Sequence, residues 1–183
     1  LRRRCLEKNK AIFLDRDGTI AYDGPYCGRL ENFKLFSMSA KAIKLFNDCG
    51  FKVIIITNQS GVGRGYFTED ELKKVHEKMK RDLKDGGANI DAIYYCPHHP
   101  ADNCSCRKPK TALALKAISD LDIDVGRSFV VGDSESDVEM GCQLGCKTIQ
   151  ILSDKPISEK SSFLFTNIYE AADWISIISG KEY

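Results

Sequence analysis

Two carboxylates lie two positions apart in Asp15-Arg16-Asp17-Gly18-Thr19. They follow the apolar run Ala11-Ile12-Phe13-Leu14, which reads as a short buried β-strand. The acids therefore stand where that strand ends, and ligands of open α/β sheets bind at that carboxyl edge. Carboxylates this close repel one another unless a cation or a shared proton offsets the cost. Gly18 permits a sharp turn after them. One acid of such a pair can attack phosphorus while the other carries a proton. On its own the pattern also suits a polar strand end with a capping aspartate.

Other chemistry-bearing residues recur after apolar runs. Thr57-Asn58-Gln59-Ser60-Gly61 follows the run 51–56. Its hydroxyls, amides and glycine can donate hydrogen bonds to phosphoryl oxygens, and they also make an ordinary turn. Gly132-Asp133-Ser134-Glu135-Ser136-Asp137 puts two aspartates on one helical face, suited to a hard cation. The plainer reading is an acidic helix N-terminus favoured by the macrodipole. Arg107-Lys108-Pro109-Lys110 suggests phosphate recognition, or a solvated basic turn.

The segment Cys96-Pro97-His98-His99-Pro100-Ala101-Asp102-Asn103-Cys104-Ser105-Cys106 concentrates thiolates and imidazoles. Cys96, His98, Cys104 and Cys106 form a Cys₃His set, the composition of a closed tetrahedral zinc site. Four protein ligands leave no open position, so the expected zinc is structural, rigidifying the loop that carries Arg107 and Lys108. His99 is the competing ligand. A disulfide between Cys104 and Cys106 is geometrically poor.

The elements that must position these residues alternate in type. Apolar strands are expected at 11–14, 51–57, 90–95, 128–131, 147–152 and 163–165. Helices are expected at 38–49, 68–84, 110–121, 134–144 and 168–178. Thr68 and Glu71 form a capping box. The segment 20–36, with Gly24 and Pro25, suggests turns and a small hairpin over the strand ends. Repeated β-then-α order implies an α/β fold with a mainly parallel sheet and right-handed crossovers.

Composition sets the bounds. The 183 residues suit one domain, 1–183, with residues 1–10 as a candidate arm. A net charge of +1 gives no bulk field toward nucleic acid or anionic membrane. No apolar run approaches the ~20 residues of a membrane span. The basic start Leu1-Arg2-Arg3-Arg4 lacks the apolar region of a secretory signal. Eight cysteines, three of them beside histidine, fit a metal site with free thiols in a reducing, cytoplasmic setting.

Asp15-x-Asp17-Gly18-Thr19, Thr57, Lys108 and Gly132-Asp133-x₃-Asp137 together resemble the haloacid dehalogenase (HAD) superfamily, whose motifs occur in this order. The Cys-x-His…Cys-x-Cys loop before Arg107-Lys108-Pro109 is similar to that of heptose bisphosphate phosphatases and histidinol-phosphate phosphatases. The segment 57–68, Asp23-x-x-Tyr26 and 94–100 look like the heptose branch. The short spacing from His98 to Cys104 looks like the histidinol branch, and Ser134 stands where some heptose enzymes carry lysine.

The resemblance implies a Rossmann-like three-layer α/β/α HAD fold with a minimal cap. It implies a Mg²⁺-dependent phosphatase acting on a small sugar phosphate through an aspartyl-phosphate. Asp15 would be the nucleophile and Asp17 the acid/base. Mg²⁺ would sit on Asp15, the Asp17 carbonyl and Asp133, with Asp137 outside the immediate ligand set. Thr57 and Lys108 would neutralise the phosphoryl oxygens. Asp23, Tyr26, Asn58, Gln59, Ser60, Arg64 and Arg107 would line the substrate pocket, Arg64 and Arg107 supplying a second anion site. The expected substrate is D-glycero-D-manno-heptose 1,7-bisphosphate. Histidinol phosphate is the alternative, and a nucleic-acid 3′-phosphate a more distant one. The protein is expected as a monomer or small homo-oligomer.

Overall fold

The computed structural model describes residues 7–24 and 27–180. Its strands are β1 (Ala11–Leu14), β2 (Lys52–Asn58), β3 (Ala92–Cys96), β4 (Phe129–Gly132), β5 (Lys147–Ile151) and β6 (Phe163–Phe165). Its α-helices are α1 (Ser39–Asp48), α2 (Ser60–Gly63), α3 (Glu69–Asp85), α4 (Ala112–Leu121), α5 (Glu135–Leu144) and α6 (Ile168–Ser179). The strands form one sheet in the order β3-β2-β1-β4-β5-β6, and every pairing is parallel.

Side chains alternate across the sheet, as the pleat requires. Ile12, Leu14, Val53, Ile55 and Val131 pack with α1, α3 and α6 on one face. Ala11, Phe13, Ile54, Ile56 and Val130 pack with α4 and α5 on the other. Burial on both faces explains why β1 and β2 read as unbroken apolar runs.

The chain steps outward from β1 to β2 and β3, then returns to lay β4 on the opposite side of β1. The strand order thus reverses between β1 and β4, where such sheets open a crevice. β1 delivers Asp15 and β4 delivers Asp133 to that crevice.

Local signals account for the boundaries. Thr68 accepts from the Glu71 N–H at 3.2 Å, and the Glu71 carboxylate accepts from the Thr68 N–H at 2.7 Å, starting α3. Among the described residues the 20–36 stretch closes through one antiparallel bridge, Ala21 to Leu35, in place of the expected small hairpin. Asn9 is bonded to Asp122 and Asp124 through the backbone at 2.9 and 2.8 Å. The short α2 was missed because Ser60-Gly61-Val62-Gly63 has poor helix propensity.

Phe46 is fully buried between α1 and the sheet, whereas Leu115 is 53% exposed on α4. Phe46→Ala is expected to cost about 3–5 kcal/mol of stability. Leu115→Ala is expected to cost about 0.5 kcal/mol or less. Urea unfolding of the two variants checks this, and equal losses would contradict the layering described.

Candidate active site

Lys108 is the centre of the crevice. Its Nζ donates to Asp15 Oδ1 at 2.6 Å, to Asp137 Oδ1 at 2.6 Å and to the Ile56 carbonyl at 2.8 Å. The residue is only 5% exposed. Burial alone would discourage its charge, but Asp137 and Asp15 outweigh that and hold the ammonium protonated. The Asp15 carboxyl is pushed up to about 7 by burial, with Asp137 and Asp17 adding repulsion against the opposing pull of Lys108.

Asn58 holds the backbone of Lys108 from both sides. Its Oδ1 accepts from the Lys108 N–H at 3.0 Å, and its Nδ2 donates to the Lys108 carbonyl at 3.3 Å. In these bonds Asn58 positions the lysine, a role beyond the substrate contact expected of it.

Asp17 is held by a fully buried arginine. Arg16 Nε donates to Oδ1 and Nη2 to Oδ2, both at 2.8 Å, a bidentate clamp. Gln59 completes it. Its Nε2 donates to Asp17 Oδ2 at 2.7 Å and to Thr57 Oγ1 at 2.9 Å, while its Oε1 accepts from Arg16 at 2.9 Å. Gln59 is 2% exposed, so its amide orders Asp17 and Thr57 from within. Behind Arg16 lies His76 of α3, with Nε2 3.4 Å from Nη1. Burial and the guanidinium push the His76 pKa down to about 3, so the imidazole is neutral and accepts.

Asp133 follows β4 and is 1% exposed. Lys155 Nζ lies 2.7 Å from its Oδ2 and 3.4 Å from Asp23 Oδ2. Asp133 Oδ1 is buried and has no hydrogen-bond partner among the described residues. Carboxylate oxygens of Asp15, Asp133 and Asp137 lie within 4.8 Å of one another. An orphaned buried oxygen in such a trio, beside a carboxyl raised by burial, fits a hard cation. Asp137 also accepts from the Ser134 N–H at 3.1 Å as part of a capping box, so it does structural duty at both oxygens. Gly18 has φ +82°, and a Cβ there would overlap the Asp133 carboxylate.

The Cys/His loop gathers its four expected ligands. Cys96 Sγ lies 3.6 Å from His98 Nδ1 and 3.5 Å from Cys104 Sγ, and Cys106 Sγ lies 3.2 Å from His98 Nδ1 and 3.5 Å from Cys104 Sγ. That spacing and donor set fit a tetrahedral zinc. His99 is drawn elsewhere, its Nδ1 accepting from the Ala101 N–H at 3.1 Å. α2 is seated on this loop through Gly63, whose N–H donates to the Pro97 carbonyl at 2.8 Å. A Cβ at Gly63 would overlap the His99 backbone.

These parts enclose a cleft of about 390 Å³. Asp15, Asp17, Thr57 and Lys108 line it, as do Asp23, Asn58, Gln59 and Ser60. Arg64 and Arg107 share its wall, and Arg107 Nη1 is buried without a hydrogen-bond partner among the described residues. Tyr26 lies outside the described residues.

Sequence reasoning missed Arg16, His76 and Lys155. Arg16 reads as a solvent cation between two acids, and His76 as one residue of an amphipathic helix. The one available sign for Lys155 was its place just past β5, at the same sheet edge as the other functional groups.

Among the described residues no helix is long and apolar enough to cross a membrane. Residues 105–164 match the HAD-hydrolase-like family. The chain is 40% identical over 169 residues to the D-glycero-beta-D-manno-heptose-1,7-bisphosphate 7-phosphatase of Helicobacter pylori strain J99, covering 91% of this chain and 97% of that protein. It is 39% identical over 179 residues to the enzyme of the same name from Pasteurella multocida, covering 93% and 97%. Among solved structures it resembles the D,D-heptose 1,7-bisphosphate phosphatase of B. bronchiseptica, complexed with magnesium and phosphate. That match has a TM-score of 0.83 and 30% identity, over 91% of this chain and 97% of the other. The crevice chemistry and these likenesses agree, and the chain belongs to the heptose-1,7-bisphosphate 7-phosphatase family of HAD phosphatases, which are phosphoric monoester hydrolases.

Proposed function

We propose that this chain removes the 7-phosphate of D-glycero-D-manno-heptose 1,7-bisphosphate, with Mg²⁺ as catalytic ion and Zn²⁺ as structural ion. The observation that carries the reading is one cleft with two cationic regions. Lys108 sits beside Asp15, and Arg64 and Arg107 line the wall, one Arg107 nitrogen buried without a hydrogen-bond partner among the described residues. A substrate with a phosphate at each end matches that arrangement, because arginine forks bind phosphate through two hydrogen bonds.

An Asp15 oxygen attacks the 7-phosphorus, and the bond from phosphorus to the sugar oxygen breaks. Asp17 gives its proton to the departing alkoxide. For that step Asp17 enters protonated and releases one of its contacts with Arg16 or Gln59. In the second half Asp17 takes a proton from water, the water oxygen attacks the aspartyl-phosphate, and Asp15 and inorganic phosphate are freed. Lys108 and Thr57 place positive charge and a hydroxyl near the phosphoryl oxygens, where most stabilisation of phosphoryl transfer lies. Asp15, the Asp17 carbonyl and Asp133 would hold Mg²⁺, which when bound supplies Lewis-acid stabilisation of the phosphoryl group. Cys96, His98, Cys104 and Cys106 would hold Zn²⁺, fixing the loop that carries Arg107 and supports Arg64.

Asp15→Asn is expected to abolish turnover while the protein stays folded, since the amide keeps an acceptor oxygen for Lys108 and Asp137 remains as its counter-charge. Retained phosphatase activity would refute the nucleophile assignment. Chelating the zinc is expected to lower both the melting temperature and the turnover. Unchanged values after verified metal removal would argue against that role. The deciding experiment compares kcat/KM with Mg²⁺ for heptose 1,7-bisphosphate and histidinol phosphate. We expect at least about a hundredfold preference for the bisphosphate, ~2.7 kcal/mol of transition-state binding. A preference for histidinol phosphate would mean that the short His98–Cys104 spacing, and not the Arg64 segment, sets specificity.

A further inference from the structure

Lys155 is a cation in the cleft that the reaction scheme does not use. Its loop is built to bring it there. Gln150 of β5, 1% exposed, donates Nε2 to the Pro156 carbonyl at 2.8 Å and to the Asp133 carbonyl at 3.3 Å. Its Oε1 accepts from the Ser158 N–H at 2.8 Å. One buried amide thus fixes the lysine's loop to the backbone of the aspartate that the lysine pairs with. The Lys155 ammonium stands 2.7 Å from Asp133 Oδ2 and 3.4 Å from Asp23 Oδ2, so two carboxylates compete for it. Asp133 carries the orphaned Oδ1 of the carboxylate trio, and Asp23 belongs to the 20–36 stretch and lines the cleft.

We propose that Lys155 is a positioning residue, the resident counter-ion of Asp133, which a divalent cation displaces toward Asp23 so that metal loading strengthens the Lys155–Asp23 pair. This rests on the reading of Asp133 as a metal ligand. Two cations on one carboxylate repel. Metal entry therefore weakens the Lys155–Asp133 pair, and Asp23 is the acceptor next in reach. Asp15 and Asp137 already share Lys108, which leaves Asp23 as the acidic neighbour with no other ion-pair partner among the described residues.

The test uses Mn²⁺ as the probe, with the full chain and no substrate, counting free Mn²⁺ by electron paramagnetic resonance. Lys155→Met is expected to bind Mn²⁺ at least about tenfold more tightly than the parent, ~1.4 kcal/mol, and Lys155→Arg to match the parent within about twofold. A lysine that merely braced the loop would give the opposite sign, because its loss would loosen the site. Unchanged or weaker binding in Lys155→Met overturns the proposal. Melting curves check folding, and Lys155→Gln replaces the methionine variant if that one fails to fold.

Asp23→Asn tests the second half. It is expected to weaken Mn²⁺ binding more in the parent than in the Lys155→Met background, a non-additive pair. Equal weakening in both backgrounds overturns the link to Asp23. Asp133→Asn separates the two readings. If it binds Mn²⁺ as the parent does, the metal assignment itself fails. If it loses Mn²⁺ while Lys155→Met gains none, only the Lys155 inference fails.

Discussion

A single buried ammonium organises this molecule. Lys108 bridges Asp15 at the end of β1 and Asp137 on α5, and also caps the Ile56 carbonyl of β2. It arrives on the loop that follows β3, so one group ties four separate parts of the chain together. A charge this deeply buried is tolerated only while its partners remain, and removing one partner of such a group typically costs ~3–5 kcal/mol. The Asn58 amide that grips the Lys108 backbone belongs to the same constraint. Where the lysine sits decides where the two aspartates can sit.

Charge crowding is the complementary theme. Asp15, Asp17, Asp133 and Asp137 meet in a space shared with Arg16, Lys108 and Lys155. Each carboxylate has a protein cation, yet Asp15 still rises well above its ordinary range and Asp133 keeps an oxygen with no hydrogen-bond partner among the described residues. The site is thus stable enough to assemble and short enough of positive charge to attract more. The Arg16 clamp carries this logic to Asp17. A buried guanidinium grips both of its oxygens, and the Gln59 amide adds a third contact.

Much of the architecture was legible because parallel strands covered on both faces leave continuous apolar runs. Ala11–Leu14 and the 51–57 run are such segments, and the acids and hydroxyls after them mark the edge where chemistry collects. The Cys/His cluster was legible because its ligands are close in sequence. Contacts set by the packing of distant elements were not. Arg16 touches Gln59 and His76, whose spacing in the chain carries no periodic signal. Gln59 and Asn58 were legible as polar groups in a site. That one orders Asp17 and Thr57 and the other fixes the Lys108 backbone depends on β2 lying between β1 and the Cys/His loop.

The placement of the Cys/His ligands has a bearing on how the loop that carries them can vary in length. Residues 99–103 lie between His98 and Cys104, and the exposed turn Pro100–Asp102 projects from them. The chain is anchored again at Cys104 and Cys106 before it reaches Arg107. Extra residues spliced into that turn would leave the register of Arg107 and Lys108 undisturbed. Position 63, pressed against the His99 backbone, has no such freedom. The fold therefore offers a place where the chain can lengthen, insulated from the catalytic floor by its own anchors.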